Sequence, residues 1–165
     1  MAKVLLAVSA NGKRIYYDDE SSHAATHLAA TPQLLPVLKE FLATQSFDAE
    51  ETALDHDAGQ IIGNTDLCRV TDADEIIYAK RPNRDTYTKF VKGRSPMPTS
   101  VFSVVVRKNT SGEYELFSAW VGRLAPPFPD SDEANSESKP FWDNHALVYG
   151  TQTIQSGTET SVQPW

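Results

Sequence analysis

The chain has 165 residues, 40% of them hydrophobic, which suffices for one cored domain, and its formal net charge is -7. Its single cysteine, Cys68, excludes an intramolecular disulfide and a cysteine-only zinc site; between Leu67 and Arg69 it reads as a strand residue rather than a nucleophile. The apolar run 4–8 is too short for a signal-peptide core or a membrane span, and only Lys3 precedes it, so the expectation is a cytoplasmic protein with no membrane partner.

Residues 4–9 and 14–17, joined by Asn11-Gly12, predict a β-hairpin closed by a type I′ turn. A short helix is expected over 23–30. A second begins at Thr31-Pro32 or at Pro36, with Leu34, Leu35, Leu38, Phe41 and Leu42 on one face. The Asp48-x-x-Glu51 spacing suits a capping box opening a helical turn through Leu54, and residues 55–59 then read as a polar turn. Short strands are expected at 61–64, 67–71 and 75–81, and a further extended segment at 86–91.

A long hairpin follows, with 101–108 and 113–122 flanking a turn at 109–112. It sets Phe102, Val104 and Val106 on one face of the first strand, and Tyr114, Leu116, Ser118 and Trp120 on one face of the second. Residues 125–140 read as a mobile loop rich in Pro, Ser and acids, and 141–149 as a strand that rejoins the sheet. The expected organisation is one globular domain over 1–150, with a helical, acidic half (1–74), a β-rich, basic half (75–150) and a polar tail (151–165). The fold class is α+β: an N-terminal hairpin and helices packed on a mainly antiparallel sheet formed by residues 61–149.

Charge lies in blocks. Residues 1–79 hold five Lys or Arg and thirteen Asp or Glu, 80–123 hold nine and three, and the rest hold one and six. The segment 78–94 concentrates the cations Lys80, Arg81, Arg84, Lys89, Lys92 and Arg94 against the single acid Asp85, with Tyr87 and Phe90 among them. Such a run is either a solvated surface or a groove for a polyanion in which the aromatics stack bases. Pro82-Asn83 breaks the period, so spacing alone does not put these cations on one face.

His145 stands at the polar entrance to the apolar run 146–149, where a histidine is either a surface residue or a titrating one. Cleavage of RNA by its own 2′-hydroxyl needs a base, positive charge on the phosphorane oxygens and an acid for the departing oxygen. Histidine with Arg or Lys supplies these without a metal. Trp120 reads as core with Ser118 beside it, and Arg123 extends the positive surface. His23 and His27 are spaced i, i+4 but lack the glutamate of a zinc-protease helix. The acids Asp55, Asp57, Asp66, Asp72 and Asp74, with His56, read as turn and surface residues, so neither a metal nor a cofactor is expected. Dinucleotide, P-loop and nucleophile-elbow motifs are absent.

The pattern Tyr-Ala-Lys-Arg-x-x-Arg-x-x-Tyr-x-x-Phe-Val (78–91), the strand 101–106, Tyr-x-Leu-x-Ser-Ala-Trp-x-Gly (114–122) and His-Ala-Leu-Val (145–148) carry a resemblance. The chain resembles small bacterial and mobile-element proteins of uncharacterised role and, more distantly, the barnase, EndoU, colicin and RelE superfamily of metal-independent ribonucleases. Over residues 75–149 this implies helices before an antiparallel sheet that cuts RNA, often tRNA. Lys80, Arg81, Arg84, Ser118 and His145 match the chemical types in order, while the acidic first half departs from a basic toxin. The resemblance implies His145 as acid or base, with Lys80 and Arg84 serving charge and phosphate and Ser118 orienting the substrate. Arg81, Lys89, Lys92, Arg94, Tyr87 and Arg123 would bind it. The competing expectation is a non-catalytic binding or inhibitor protein whose acidic 1–79 block meets a basic protein partner. A small-ligand domain is a third, without a motif.

Overall fold

A computed structural model describes residues 3–20 and 23–165, apart from the side chain of His23. Eleven strands and three helices are found among these residues, and the fold is α+β. The chain forms two compact units, each assembled from two separate segments: Met1–Asn64 with Pro98–Leu124, and Thr65–Met97 with Ala125–Trp165.

In the first unit, β1 (Lys3–Val8) and β2 (Arg14–Asp18) form the expected antiparallel hairpin. Its turn differs from type I′, which needs positive φ at both central residues. Gly12 has φ 79°, but the single non-glycine residue with positive φ among those described is Asn83. The Gly12 N–H bonds to the Ser9 carbonyl and the Ser9 N–H to that of Lys13, so the turn is type I closed by a left-handed glycine. The same device closes the long hairpin of β9 (Val101–Lys108) and β10 (Tyr114–Val121), through Asn109 and Gly112. In each turn the first side chain, Ser9 Oγ or Asn109 Oδ1, accepts the N–H four residues on.

The sheet is completed by β3 (Glu51–Asp57) in the order β1-β2-β10-β9-β3, with a parallel step where Ile15 meets Tyr114. Helices α1 (His23–Ala30) and α2 (Leu34–Thr44) carry the core face that periodicity predicts. Pro36 falls in the first turn of α2, where its missing N–H costs nothing, and Leu34, Leu38, Phe41 and Leu42 pack with Ile15, Phe102, Val104, Val106 and Tyr114.

Two expectations fail here for tertiary reasons. The helical turn at 48–54 and the first part of the polar turn at 55–59 are replaced by β3, which pairs antiparallel with β9 from Glu51 opposite Arg107 to Asp57 opposite Val101; the turn itself is confined to 57–59, where Asp57 Oδ1 accepts the Gly59 N–H. A full strand ladder outweighs one capping-box spacing. On β10 the register shifts between Leu116 and Ser118. This bulge makes Ala119 and Val121, not Ser118 and Trp120, continue the core face of Tyr114 and Leu116, and leaves Phe117 exposed.

The strands 61–149 do not make one sheet. In the second unit β5 (Leu67–Arg69), β11 (His145–Val148), β7 (Tyr87–Val91) and β6 (Ile76–Lys80) form their own, in that order. Here β6 and β7 are an antiparallel hairpin, and β11 runs antiparallel to β5 but parallel to β7. A ribbon of β4 (Gly63–Thr65) and β8 (Met97–Thr99) lies where the chain leaves the first unit and re-enters it.

The strand expected over 141–149 begins as helix α3 (Ser138–Asn144) and extends only from His145. Residues 125–137, expected as a mobile loop, carry the buried Phe128, stacked on Trp142 with centroids 4.1 Å apart. The 151–165 segment lies along β6: Tyr78 and Thr160 exchange two backbone bonds of 2.8 Å, and Trp165 meets Tyr78 edge-on at 5.3 Å. No helix among the described residues is long and apolar enough to cross a membrane.

Leu38 is fully buried between α2 and the first sheet. Leu38→Ala is expected to lower the urea-unfolding free energy by about 2–5 kcal/mol, the combined transfer and cavity cost of a buried leucine; a loss near zero would show that the helix is not docked on this core.

Candidate anion-binding site

The cations of 78–94 meet three different fates, set by where the β6–β7 hairpin places them. Because Ile76 lies opposite Val91, residues just before β6 and just after β7 gather at one end of the sheet. There Arg94 makes a bidentate pair with Asp74, both carboxylate oxygens at 2.9 Å, and Lys92 lies 3.5 Å from Glu75 and over the Tyr149 ring. The Asp74 carboxyl is held below its ordinary range, first by the Thr71 N–H and then by Arg94. These two expected phosphate ligands are occupied by neighbouring acids.

Lys89 is buried in mid-strand, a correction to its expected place in a groove. Its ammonium donates to the carbonyls of Trp142 at 2.6 Å and Asp143 at 3.4 Å, and burial pushes its pKa down against the pull of the Asp143 charge. A side chain so enclosed fastens α3 to the sheet and does not meet a ligand.

Arg81, Arg84, Lys80 and Tyr87 lie at the other end of the hairpin. Arg81-Pro82-Asn83-Arg84 is a tight turn closed by the Arg84 N–H on the Arg81 carbonyl at 3.3 Å. Proline fixes a negative φ at the second position and Asn83 takes φ 61° at the third, which defines a type II turn. The turn that breaks the strand period therefore sets the two arginines at its first and last positions, and the charge of Arg84 acts on Arg81.

The Arg81 guanidinium is largely withdrawn from water. Its Nε–H donates to Thr88 Oγ1 at 2.9 Å and an Nη1–H to Gln152 Oε1 at 3.1 Å, and it lies 5.9 Å from the Phe128 ring centroid. Burial, followed by the Arg84 charge, lowers its pKa to about 10, so it stays cationic at neutral pH. Both acceptors are neutral. No carboxylate pairs with it among the described residues. Arg84 is exposed beside it, and Lys80 stands 5.2 Å over the Tyr87 ring.

His145 opens β11, which runs parallel to β7 with Leu147 beside Phe90. It therefore starts at the same sheet end as Tyr87 and the arginine turn. His145 precedes Leu147 by two residues, as Thr88 precedes Phe90 on β7. Its ring stacks on Phe141 with centroids 4.0 Å apart and planes at 4°, and Nδ1 lies 2.9 Å from the Phe141 carbonyl. A carbonyl only accepts, so the assigned neutral tautomer carries its hydrogen on Nδ1 and leaves the Nε2 lone pair free.

Ser118 and Arg123 belong to the first unit. Ser118 is buried on β10, and Arg123 is exposed past its end. The single sheet expected over 61–149, which would have held both Ser118 and His145, is two sheets, with β10 in one and β11 in the other. Sequence reasoning missed Thr88, Gln152, Gln155 and Asp130. Asp130 accepts the Tyr87 N–H at 2.7 Å through Oδ2, while its buried Oδ1 has no partner. These are neutral or acidic residues, three of them in stretches without pattern and Thr88 in an expected strand, and only the fold gives them a role. No group of three or more His, Cys, Asp or Glu residues gathers to hold a metal among the described residues.

Comparison with protein families, with curated proteins and with solved structures found no match in any of the three.

Lys89 binds fewer protons in the folded than in the unfolded state between its lowered pKa and the ordinary 10.5, so its contribution to stability rises as pH climbs through that window. The unfolding free energy of the wild type relative to Lys89→Met is expected to improve as the pH is raised from neutrality toward that value. A difference flat in pH would mean that the ammonium is solvated.

Proposed function

We propose that the second unit binds the phosphates of an RNA strand at Arg81 and Arg84 and cuts the strand without a metal, with His145 as the base. The observation that carries this reading is the Arg81 guanidinium, desolvated and bonded only to neutral oxygens. A cation out of water and without a counter-ion is stabilised by an arriving anion, and its remaining N–H groups suit a phosphate oxygen. Arg84, exposed at the other end of the same turn, adds a second positive charge.

In the proposed step His145 Nε2 takes the proton of a 2′-hydroxyl, whose oxygen attacks the adjacent phosphorus. Charge accumulates on the phosphorane oxygens and is met by Arg81 and Arg84, with Lys80 nearby. The bond from phosphorus to the 5′-oxygen then breaks, and that oxygen takes a proton from solvent or from the His145 imidazolium. The products are a 2′,3′-cyclic phosphate and a 5′-hydroxyl. Fixing Nδ1 on the Phe141 carbonyl orients the ring and keeps Nε2 as the reactive nitrogen. Ser118 takes no part in this scheme.

One observation favours a second reading, a non-catalytic protein with a basic partner. The outer strand β3 and its approach carry Asp48, Glu50, Glu51, Asp55 and Asp57, all exposed on an open sheet edge. Charges on an edge strand also serve to prevent unwanted strand pairing, which accounts for them without a partner.

Total tRNA incubated with the protein in EDTA is expected to yield fragments with cyclic phosphate ends. His145→Ala is expected to lower the rate about a hundredfold or more while retaining binding, and Arg81→Ala with Arg84→Ala to lose binding as well. Intact tRNA with the wild type, or equal cleavage by His145→Ala, overturns the catalytic reading. Retention of a basic host protein after nuclease treatment, lost on reversing the charges of β3, supports the second.

A further inference from the structure

We infer that Gln152 and Gln155 are positioning residues for the Arg81 and Arg84 anion site, so that the 151–165 segment presets the Arg81 guanidinium and the turn that carries Arg84 for binding phosphate. The inference rests on the proposed phosphate-binding role of that turn and specifies what holds it in shape.

Gln155 is the centre of the arrangement. Its backbone N–H donates to the Lys80 carbonyl at 2.7 Å, and its side-chain Nε2 donates to the carbonyls of both Arg81 and Arg84 at 2.9 Å each. One amide thus ties the first and last residues of the type II turn to each other. The turn needs such a tie: Asn83 is held at φ 61°, a conformation that costs a non-glycine residue energy, and the closing Arg84 N–H bond is long at 3.3 Å.

Gln152 supplies the second constraint. Its Oε1 accepts an Nη1–H of Arg81 while Thr88 Oγ1 accepts the Nε–H, so the guanidinium plane is fixed from two sides and its unused N–H groups have a set direction. Both glutamines are neutral, which leaves the cationic charge uncancelled; a carboxylate at 152 would accept the same N–H but neutralise the site, and one at 155 has no N–H to donate to the two carbonyls.

The segment that brings these glutamines is itself anchored. Thr158 Oγ1 accepts the Lys80 N–H at 3.1 Å and donates to the Gln155 carbonyl at 2.7 Å, Thr160 is bridged to Tyr78, and Trp165 reaches Tyr78 and Phe128. Residues without helical or strand periodicity are thereby ordered along the open edge of β6 by a series of contacts, and that order is transmitted to the arginine turn. An anion site built this way gains affinity because the side chains are arranged before the ligand arrives.

The test uses the full chain and a fluorescein-labelled single-stranded oligouridylate, with binding measured over a range of salt concentrations. Gln155→Leu and Gln152→Leu are each expected to weaken binding about three- to tenfold, the cost of ordering one long side chain, with the salt dependence unchanged because both arginines still reach phosphate. Arg81→Ala with Arg84→Ala is expected to weaken binding further and to flatten the salt dependence. The Arg81 Nη1–H proton resonances, bonded to Gln152 in the wild type, are expected to exchange faster in Gln152→Leu. Thermal melting checks that each variant is folded, and either glutamine alone suffices if the other variant fails to fold. Wild-type binding lost in the arginine pair but unchanged in both glutamine variants overturns the positioning role alone; no wild-type binding overturns it together with the reading it rests on.

Discussion

The second unit depends on the seating of β11 between β5 and β7. A strand from residue 145 onward, antiparallel to one neighbour and parallel to the other, closes a sheet whose remaining strands come from residues 67–91. That single insertion draws the whole of Ala125–Trp165 onto the basic hairpin. It brings α3 to the Lys89 ammonium, Phe128 and Trp142 to the hairpin's end, and residues 151–165 to the open edge of β6. A parallel pairing of this kind needs a long connection, and residues 92–144 provide it, running through β8, β9 and β10 before the 125–144 stretch, irregular and then helical, leads into β11.

The same closure rewrites the electrostatics. By sequence the segment 80–123 is a positive block, but the second unit as folded holds eight Lys or Arg and eleven Asp or Glu, because the late acidic segment joins it. A general positive groove is therefore not what the fold builds. What survives is local: Arg94 and Lys92 are matched by Asp74 and Glu75 just before β6, Lys89 is enclosed against the carbonyls of α3, and Arg81 joins desolvation and neutral side-chain partners to a place beside the exposed Arg84. Local charge in a desolvated setting acts more strongly than net charge spread over solvent, and this makes the arginine turn the chemically distinctive point.

Local signals proved legible where one element settles its own geometry. The first hairpin, the face of α2 carrying Leu34, Leu38, Phe41 and Leu42, and the pairing of β9 with β10 all follow from periodicity and turn residues. Other signals were overruled by partners remote in the chain. The Asp48-x-x-Glu51 spacing favours a helix start only if nothing better offers, and β9 offers seven paired residues. Strict alternation put Ser118 on the core face, but the bulge at Leu116 shifts the face by one residue, and only the opposing strand reveals a bulge.

Residue types and spacing by themselves determined the α+β class, the run of cations at 78–94 and the turn chemistry of Pro82-Asn83, since each is written in consecutive residues. Tertiary structure alone decided that the strands divide into two sheets, that Ser118 and His145 lie in different units, and that Arg81 is fixed by Thr88 and Gln152. The reason is physical. Periodicity reports which side of an element is apolar, whereas the partner that covers that side, or completes the hydrogen bonding of a buried guanidinium, is chosen by the closure of the whole chain.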